Sequence, residues 1–131
     1  MAHSEPVHKL EASTEVRKLY DDIKQTRQVD EVNNFWKYLA NHPTTLRRTW
    51  ESLKEVFQAG ALDPLVKEMI YVAVSASNNC EYYIRSHSAA ARQKGMPEEK
   101  FGELMAVVGM ANKTNLLVNG YQVPMHEALK D

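Results

Sequence analysis

Apolar residues along this chain recur at intervals of three and four, and no useful length of it alternates with period two. The first spacing lines up one face of an α-helix and the second one face of a strand, so the pattern selects an all-α fold. Ser13 or Thr14 can cap a first helix carrying Val16, Leu19, Tyr20 and Ile23 on one side. Phe35, Trp36 and Leu39 mark a short second helix. It ends before His42–Pro43, because the residue ahead of a proline avoids helical geometry. A third starts near Pro43, with Leu46, Trp50, Leu53, Val56 and Phe57 as a continuous core stripe, and stops around Gly60. Asp63–Pro64 pairs a capping residue with proline at the first helical position, a strong start signal for a fourth. The run behind it, "LVKEMIYVAVSAS", is apolar nearly all round, as expected of a helix in the middle of a bundle. Asn78–Asn79 break it, and a fifth helix follows and closes at Gly95. Glu98–Glu99 behind Pro97 open a sixth, with acids where the helix dipole favours them. The expectation is a single-domain bundle of five to six helices over residues 13–131, behind a flexible N-terminus of residues 1–12.

Length and charge narrow the partners. A chain of 131 residues fits one domain and buries enough surface to fold without disulfides or a structural metal. The net charge is -1, and no basic run exceeds Arg47–Arg48, which argues against electrostatic nucleic-acid binding. The most apolar run, Met69–Ala76, is too short to span a bilayer. Met1–Leu10 is polar, contains Pro6 and lacks a signal-peptide pattern. One cysteine excludes an intrachain disulfide framework and suits a reducing compartment, so a cytoplasmic protein is expected. The last long segment carries Met105, Val107, Val108, Met110, Leu116, Leu117 and Val118 in several directions. Either the chain self-associates over that surface, or the segment is two helices, each with its own buried side.

Chemistry concentrates in Ser77–Gly95, "SNNCEYYIRSHSAAARQKG". At 3.6 residues per turn, positions 80, 83, 84 and 87 share a helix face. Cys80 stands at the start of that helix, where unpaired N–H groups and the dipole favour a thiolate. Tyr83 and His87 are four apart and neighbours on adjacent turns. His87 is about 10 Å along the axis from Cys80, so a direct bond between them is not expected and a relay would pass through Tyr83 or a water. Each residue also fits a plainer role: Cys80 a small buried hydrophobe, His87 a core imidazole bonded to a carbonyl, Tyr82 and Tyr83 packing rings with wet hydroxyls. Cys80 and His87 are too few to bind zinc, and no second pair of suitable spacing exists, so no metal or cofactor is expected. Glu68 lies in the apolar fourth helix on the strip of Leu65 and Val72. Desolvation there would raise its pKa and suit it to proton transfer; a solvated acid near a helix start is the alternative.

Taken together, Glu68, Cys80 and His87 resemble the active-site signature of the alkylhydroperoxidase D-like and carboxymuconolactone decarboxylase superfamily. The peroxidase branch of that superfamily spaces Glu, eleven residues, Cys, two residues, Cys, three residues and His. "EMIYVAVSASNNCEYYIRSH" keeps the spacing of Glu68, Cys80 and His87 and places Tyr83 at the second cysteine. The lead-in "AVSASNNCEYY" and the exit "HSAAARQKGMPEEK" match as well, and the resemblance runs from about Thr45 to Gly120. It implies an all-helical fold assembled as trimers or hexamers, with the site near subunit contacts. It also implies roles: Glu68 as relay base, Cys80 as first cysteine of the pair and His87 as relay histidine. In the family the second cysteine is usually assigned the attack on peroxide. That position is Tyr83, and a phenol forms neither a sulfenic acid nor a disulfide, so the two-cysteine cycle cannot run.

Three readings follow. In the first, Cys80 is a one-cysteine thiol peroxidase site, oxidised by a hydroperoxide and resolved by an external thiol. In the second, Glu68 and His87 drive decarboxylation of a lactone acid without sulfur, with Arg85 and Arg92 as candidate partners for substrate carboxylates. In the third, the scaffold binds a small ligand or assembles without catalysis, and Tyr83 fills the old pocket. The retained first cysteine and its lead-in favour the first. His3, His8, His42 and His126 fall in expected termini or loops and receive no role.

Overall fold

The computed structural model describes residues 2–130, and all regular structure among them is helical. Six α-helices are joined by short connections, with 3₁₀ turns at Lys9–Glu11 and Glu127–Leu129. The chain forms two compact units that divide after Gln58.

In the first unit, α1 (Thr14–Arg27), α2 (Asn34–Leu39) and α3 (Pro43–Val56) enclose a small apolar core. The Ser13 hydroxyl caps α1 by accepting from the Val16 N–H at 3.3 Å. Val16, Tyr20 and Ile23 of α1 meet Trp36 of α2 and Leu46 and Trp50 of α3. Trp36 and Trp50 touch edge to face at 5.4 Å. The Trp50 indole N–H donates to Asp22 at 2.7 Å, and the Lys54 ammonium donates to the same oxygen at 2.7 Å. One expectation is corrected here. Val56 is 62% exposed, because α3 ends at that residue and the core stripe stops with the half-buried Leu53. Residues 7–12 make contacts with this unit. The buried Tyr20 hydroxyl needs an acceptor and finds the Val7 carbonyl at 2.7 Å, while the Val7 N–H donates to Lys37 and Ala12 enters the core.

The second unit contains α4 (Pro64–Ser77), α5 (Glu81–Gln93) and α6 (Glu98–Gly120). Asp63 caps α4 by accepting from the Leu65 N–H at 2.7 Å, with Pro64 at the first helical position. Asn79 then takes a left-handed conformation (φ 56), and the Cys80 N–H donates back to Ser75 at 2.9 Å. That tight link makes α4 and α5 adjacent antiparallel neighbours. Gly95 (φ 95) reverses the chain after α5, and the Met96 N–H closes on the Ala91 carbonyl at 3.0 Å. Met96 is buried beside this reversal. Arg92 joins the end of α5 to α6 through Glu98 at 2.8 Å and the Phe101 ring.

The buried face of α4 is Glu68, Val72 and Ser75, whereas Val66, Ile70 and Val74 are exposed. The mostly apolar helix is therefore covered on one side only within a single chain. α6 is one continuous helix, so the two-helix alternative for this segment does not hold. None of its residues is buried, and Val107, Met110, Leu116, Leu117 and Val118 face solvent. Among the described residues no helix is long and apolar enough to cross a membrane.

Candidate active site

Glu68 begins the second turn of α4 and points at α5. Burial alone would disfavour a charge there, since only 3% of the residue is exposed. Two donors from α5 compensate. His87 Nδ1 lies 2.6 Å from Oε2 of Glu68, and the Lys94 ammonium donates to Oε1 at 2.8 Å. An ionised carboxylate only accepts, so His87 carries a proton on Nδ1, and the lone pair of the neutral tautomer is the one on Nε2.

The expectation of a raised Glu68 pKa is corrected by this arrangement. Burial does push the carboxyl up, but the hydrogen bonds and charges of His87 and Lys94 outweigh it and hold Glu68 below the usual carboxylate range. Glu68 is thus a fixed acceptor rather than a proton carrier poised near neutrality.

His87 is itself buried, and aromatic rings hold its plane. The Tyr71 ring stacks on the imidazole at 3.7 Å and 24°, and Tyr83 touches it from the next turn of α5 at 5.4 Å. Tyr71 and Tyr83 also meet each other at 5.5 Å, and Tyr82 packs edge-on against Tyr83 at 5.2 Å. Cys80 occupies the N-cap of α5, half-buried, and its side chain makes no capping bond. Seven helical residues, about 10 Å, separate it from His87, with Tyr83 between them along the same face. Of the four residues singled out in the sequence, Glu68, Tyr83 and His87 form one contact cluster, and Cys80 stands one turn before Tyr83.

Two members of the cluster escaped the sequence reading, Tyr71 and Lys94. Tyr71 lies three residues after Glu68 on α4 and Lys94 seven after His87 on α5, so helical spacing alone could have flagged both. Arg85 and Arg92 are engaged elsewhere, with Glu81 at 2.6 Å and Glu98 at 2.8 Å. His42 serves as the N-cap of α3, accepting from the Thr45 N–H. Among the described residues no three His, Cys, Asp or Glu side chains are grouped to hold a metal ion.

An all-helical unit with a lone cysteine at a helix start, a buried imidazole on the same helix and a carboxylate from the neighbouring helix defines a class of acid–base and thiol sites. The chain belongs to the carboxymuconolactone decarboxylase family, whose profile matches residues 43–124. Its structure is similar to the crystal structure of the alkylhydroperoxidase AhpD core from Rhodospirillum rubrum. That match has 50% sequence identity and a TM-score of 0.93, and covers 98% of this chain and 96% of the other. The chain is thus an AhpD-like member of the family. A curated relative, the (R)-2-haloacid dehalogenase of Pseudomonas putida, is 30% identical over 97 residues, covering 70% of this chain. This chain spans 31% of that protein's length.

Proposed function

We propose that the protein is a one-cysteine thiol peroxidase that reduces hydroperoxides with an external thiol. The observation that carries this reading is the placement of half-buried Cys80 on the same helix face as an imidazole whose basic nitrogen is set by a buried carboxylate. His87 Nε2 takes the thiol proton, through a water or the Tyr83 hydroxyl across the intervening turn. The thiolate attacks the outer peroxide oxygen, the O–O bond breaks, and the departing alkoxide takes a proton from His87 to leave as an alcohol. Sulfur is oxidised by two electrons to the sulfenic acid, and the peroxide is reduced by two. An external thiol then attacks the sulfenic sulfur and releases water. A second thiol displaces Cys80 from the mixed disulfide and leaves as the oxidised disulfide. Tyr83 takes no redox part. A reducing, cytoplasmic setting would supply the thiol.

The exposed apolar stripes of α4 and α6 support a homo-oligomer, a trimer or hexamer, as the working form. Sedimentation at micromolar concentration checks this, and a monomer there would remove it.

The decisive experiment treats the protein with tert-butyl hydroperoxide, traps sulfenic acid with dimedone, and follows peroxide consumption with added thiol. A dimedone adduct at Cys80 and turnover that is lost in Cys80→Ser support the proposal. No adduct and no thiol-dependent consumption would refute it. A second reading draws on the sulfur-free Lys94–Glu68–His87 array, which suits acid–base decarboxylation of a lactone acid. That activity would survive Cys80→Ser and vanish in His87→Ala.

A further inference from the structure

We propose that Lys94 is a positioning residue of this site. Its ammonium, bonded to the Glu68 oxygen that His87 does not use, keeps Glu68 an acceptor and so keeps the basic lone pair of His87 on Nε2. The inference rests on the proposed role of His87 as base, but its geometry stands independently of any sulfur chemistry.

Lys94 sits at the C-cap of α5, where its own N–H returns to the Ala90 and Ala91 carbonyls. The next two residues pin it further. Gly95 turns left-handed and donates to Arg92, and buried Met96 closes on Ala91. Lys94 therefore leaves a fixed backbone. Seven residues, nearly two full turns, separate it from His87, so both project from one face of α5. A long side chain on a helix leans toward the N-terminus, which directs the ammonium back toward Glu68. The result is one carboxylate with a different donor on each oxygen, at 2.6 and 2.8 Å.

A lysine at a helix C-terminus needs no such partner, since the dipole and water satisfy it. Here the side chain remains 39% exposed and yet reaches a carboxylate that is 4% exposed. The charge it brings has a specific consequence. Glu68 and His87 share one proton site between Oε2 and Nδ1. Without a fixed cation on Oε1, the buried carboxyl would more readily take up a second proton from solvent and donate it to Nδ1. The imidazole would then hold its own hydrogen on Nε2 and cease to be a base there. With Lys94 in place, the acceptor state of Glu68 is the stable one. The groups acting on Glu68 are His87 and Lys94 of α5, and the rings facing His87 are Tyr71 of α4 and Tyr83 of α5.

The test compares wild type with Lys94→Met and Lys94→Arg by nitrogen-15 spectroscopy of the imidazole across pH, with His87→Asn to assign the signal. Urea unfolding runs alongside. Removing a cation adjacent to a carboxylate shifts such a pair by about one unit or more. In Lys94→Met, Nε2 should therefore keep its proton to a pH about one unit higher. Below that midpoint the basic form should be about tenfold scarcer, with Cys80 oxidation by hydroperoxide slowed to match. Lys94→Arg should restore both. An imidazole spectrum in folded Lys94→Met that follows wild type at every pH would overturn the proposal. A moved spectrum in a protein whose Cys80 never reacts with peroxide would leave Lys94 in this role and remove the peroxidase reading instead.

Discussion

Replacing Glu68 with glutamine separates what the carboxylate does for stability from what it does for His87. Both side chains are the same size, and both can meet two partners. The carboxylate offers two acceptors, to Nδ1 of His87 and to Lys94. The amide offers one acceptor and one donor. Lys94 can only donate, so the amide oxygen must face it and the amide N–H₂ must face His87. The imidazole then has to accept on Nδ1 and move its proton to Nε2. The bond to Lys94 survives with one charged partner, while the bond to His87 changes from charged to neutral, a loss of about 1 kcal/mol. Half-exposed Lys94 can take up water, so the lost ion pair adds little and the whole change costs about 1–2 kcal/mol. Glu68→Ala, by contrast, leaves a buried imidazole N–H without its acceptor, at about 1–3 kcal/mol, and adds the cost of the cavity it opens. Both values are resolvable by urea unfolding in a protein of ordinary stability. The kinetic effect runs the other way in scale: a mispointed base should slow Cys80 oxidation by about 10²- to 10⁴-fold in Glu68→Gln although the fold persists. Imidazole nitrogen shifts report the tautomer, and stopped-flow oxidation by hydroperoxide reports the rate. A folded Glu68→Gln protein with its proton still on Nδ1, or with a rate within a few-fold of wild type, would refute the reasoning.

Acid should unfold the protein partly through the same group. Glu68 titrates lower in the folded chain than in the unfolded one, so its contribution is complete above the ordinary value of about 4.3 and is lost as pH falls through the folded value. Stability against pH should accordingly fall less steeply on the acid side in Glu68→Gln, as read by urea midpoints at stepped pH. Tyr83→Cys restores two cysteines one helical turn apart, so dithiol-driven peroxide turnover should no longer need a separate resolving thiol. Thiol titration of that variant should give two groups before peroxide and none after it, and two remaining thiols would contradict the proposal. In the first unit, Leu46→Ala empties a fully buried site and should cost about 3 kcal/mol, seen as a lower urea midpoint at unchanged slope.

Much of the fold could be read directly from residue order. Ser13, Asp63 and Pro64 mark helix starts because capping and proline chemistry depend on nearest neighbours, and the structure uses all three. Gly95 likewise closes α5 through a left-handed turn that glycine adopts without penalty. Val56 misled because periodicity cannot say where a stripe runs out of neighbours. The contact of Val7 with Tyr20 was illegible for a similar reason: its acceptor is a backbone carbonyl, which leaves no mark in composition. At the site, the spacing of Glu68, Cys80 and His87 was legible as a motif, whereas Lys94 and Tyr71 share helix faces with those residues and their contacts with Glu68 and His87 are fixed only by the packing of α4 on α5.

Residue order on its own determined that this chain is helical, where its helices begin, and which helix carries the thiol and the imidazole. Those properties follow from φ/ψ preferences and spacing within a few residues. The tertiary structure alone decided the charge of Glu68. Desolvation points one way and two donors from α5 and its C-cap point the other, and their balance depends on distances between residues 19 and 26 positions apart in the chain.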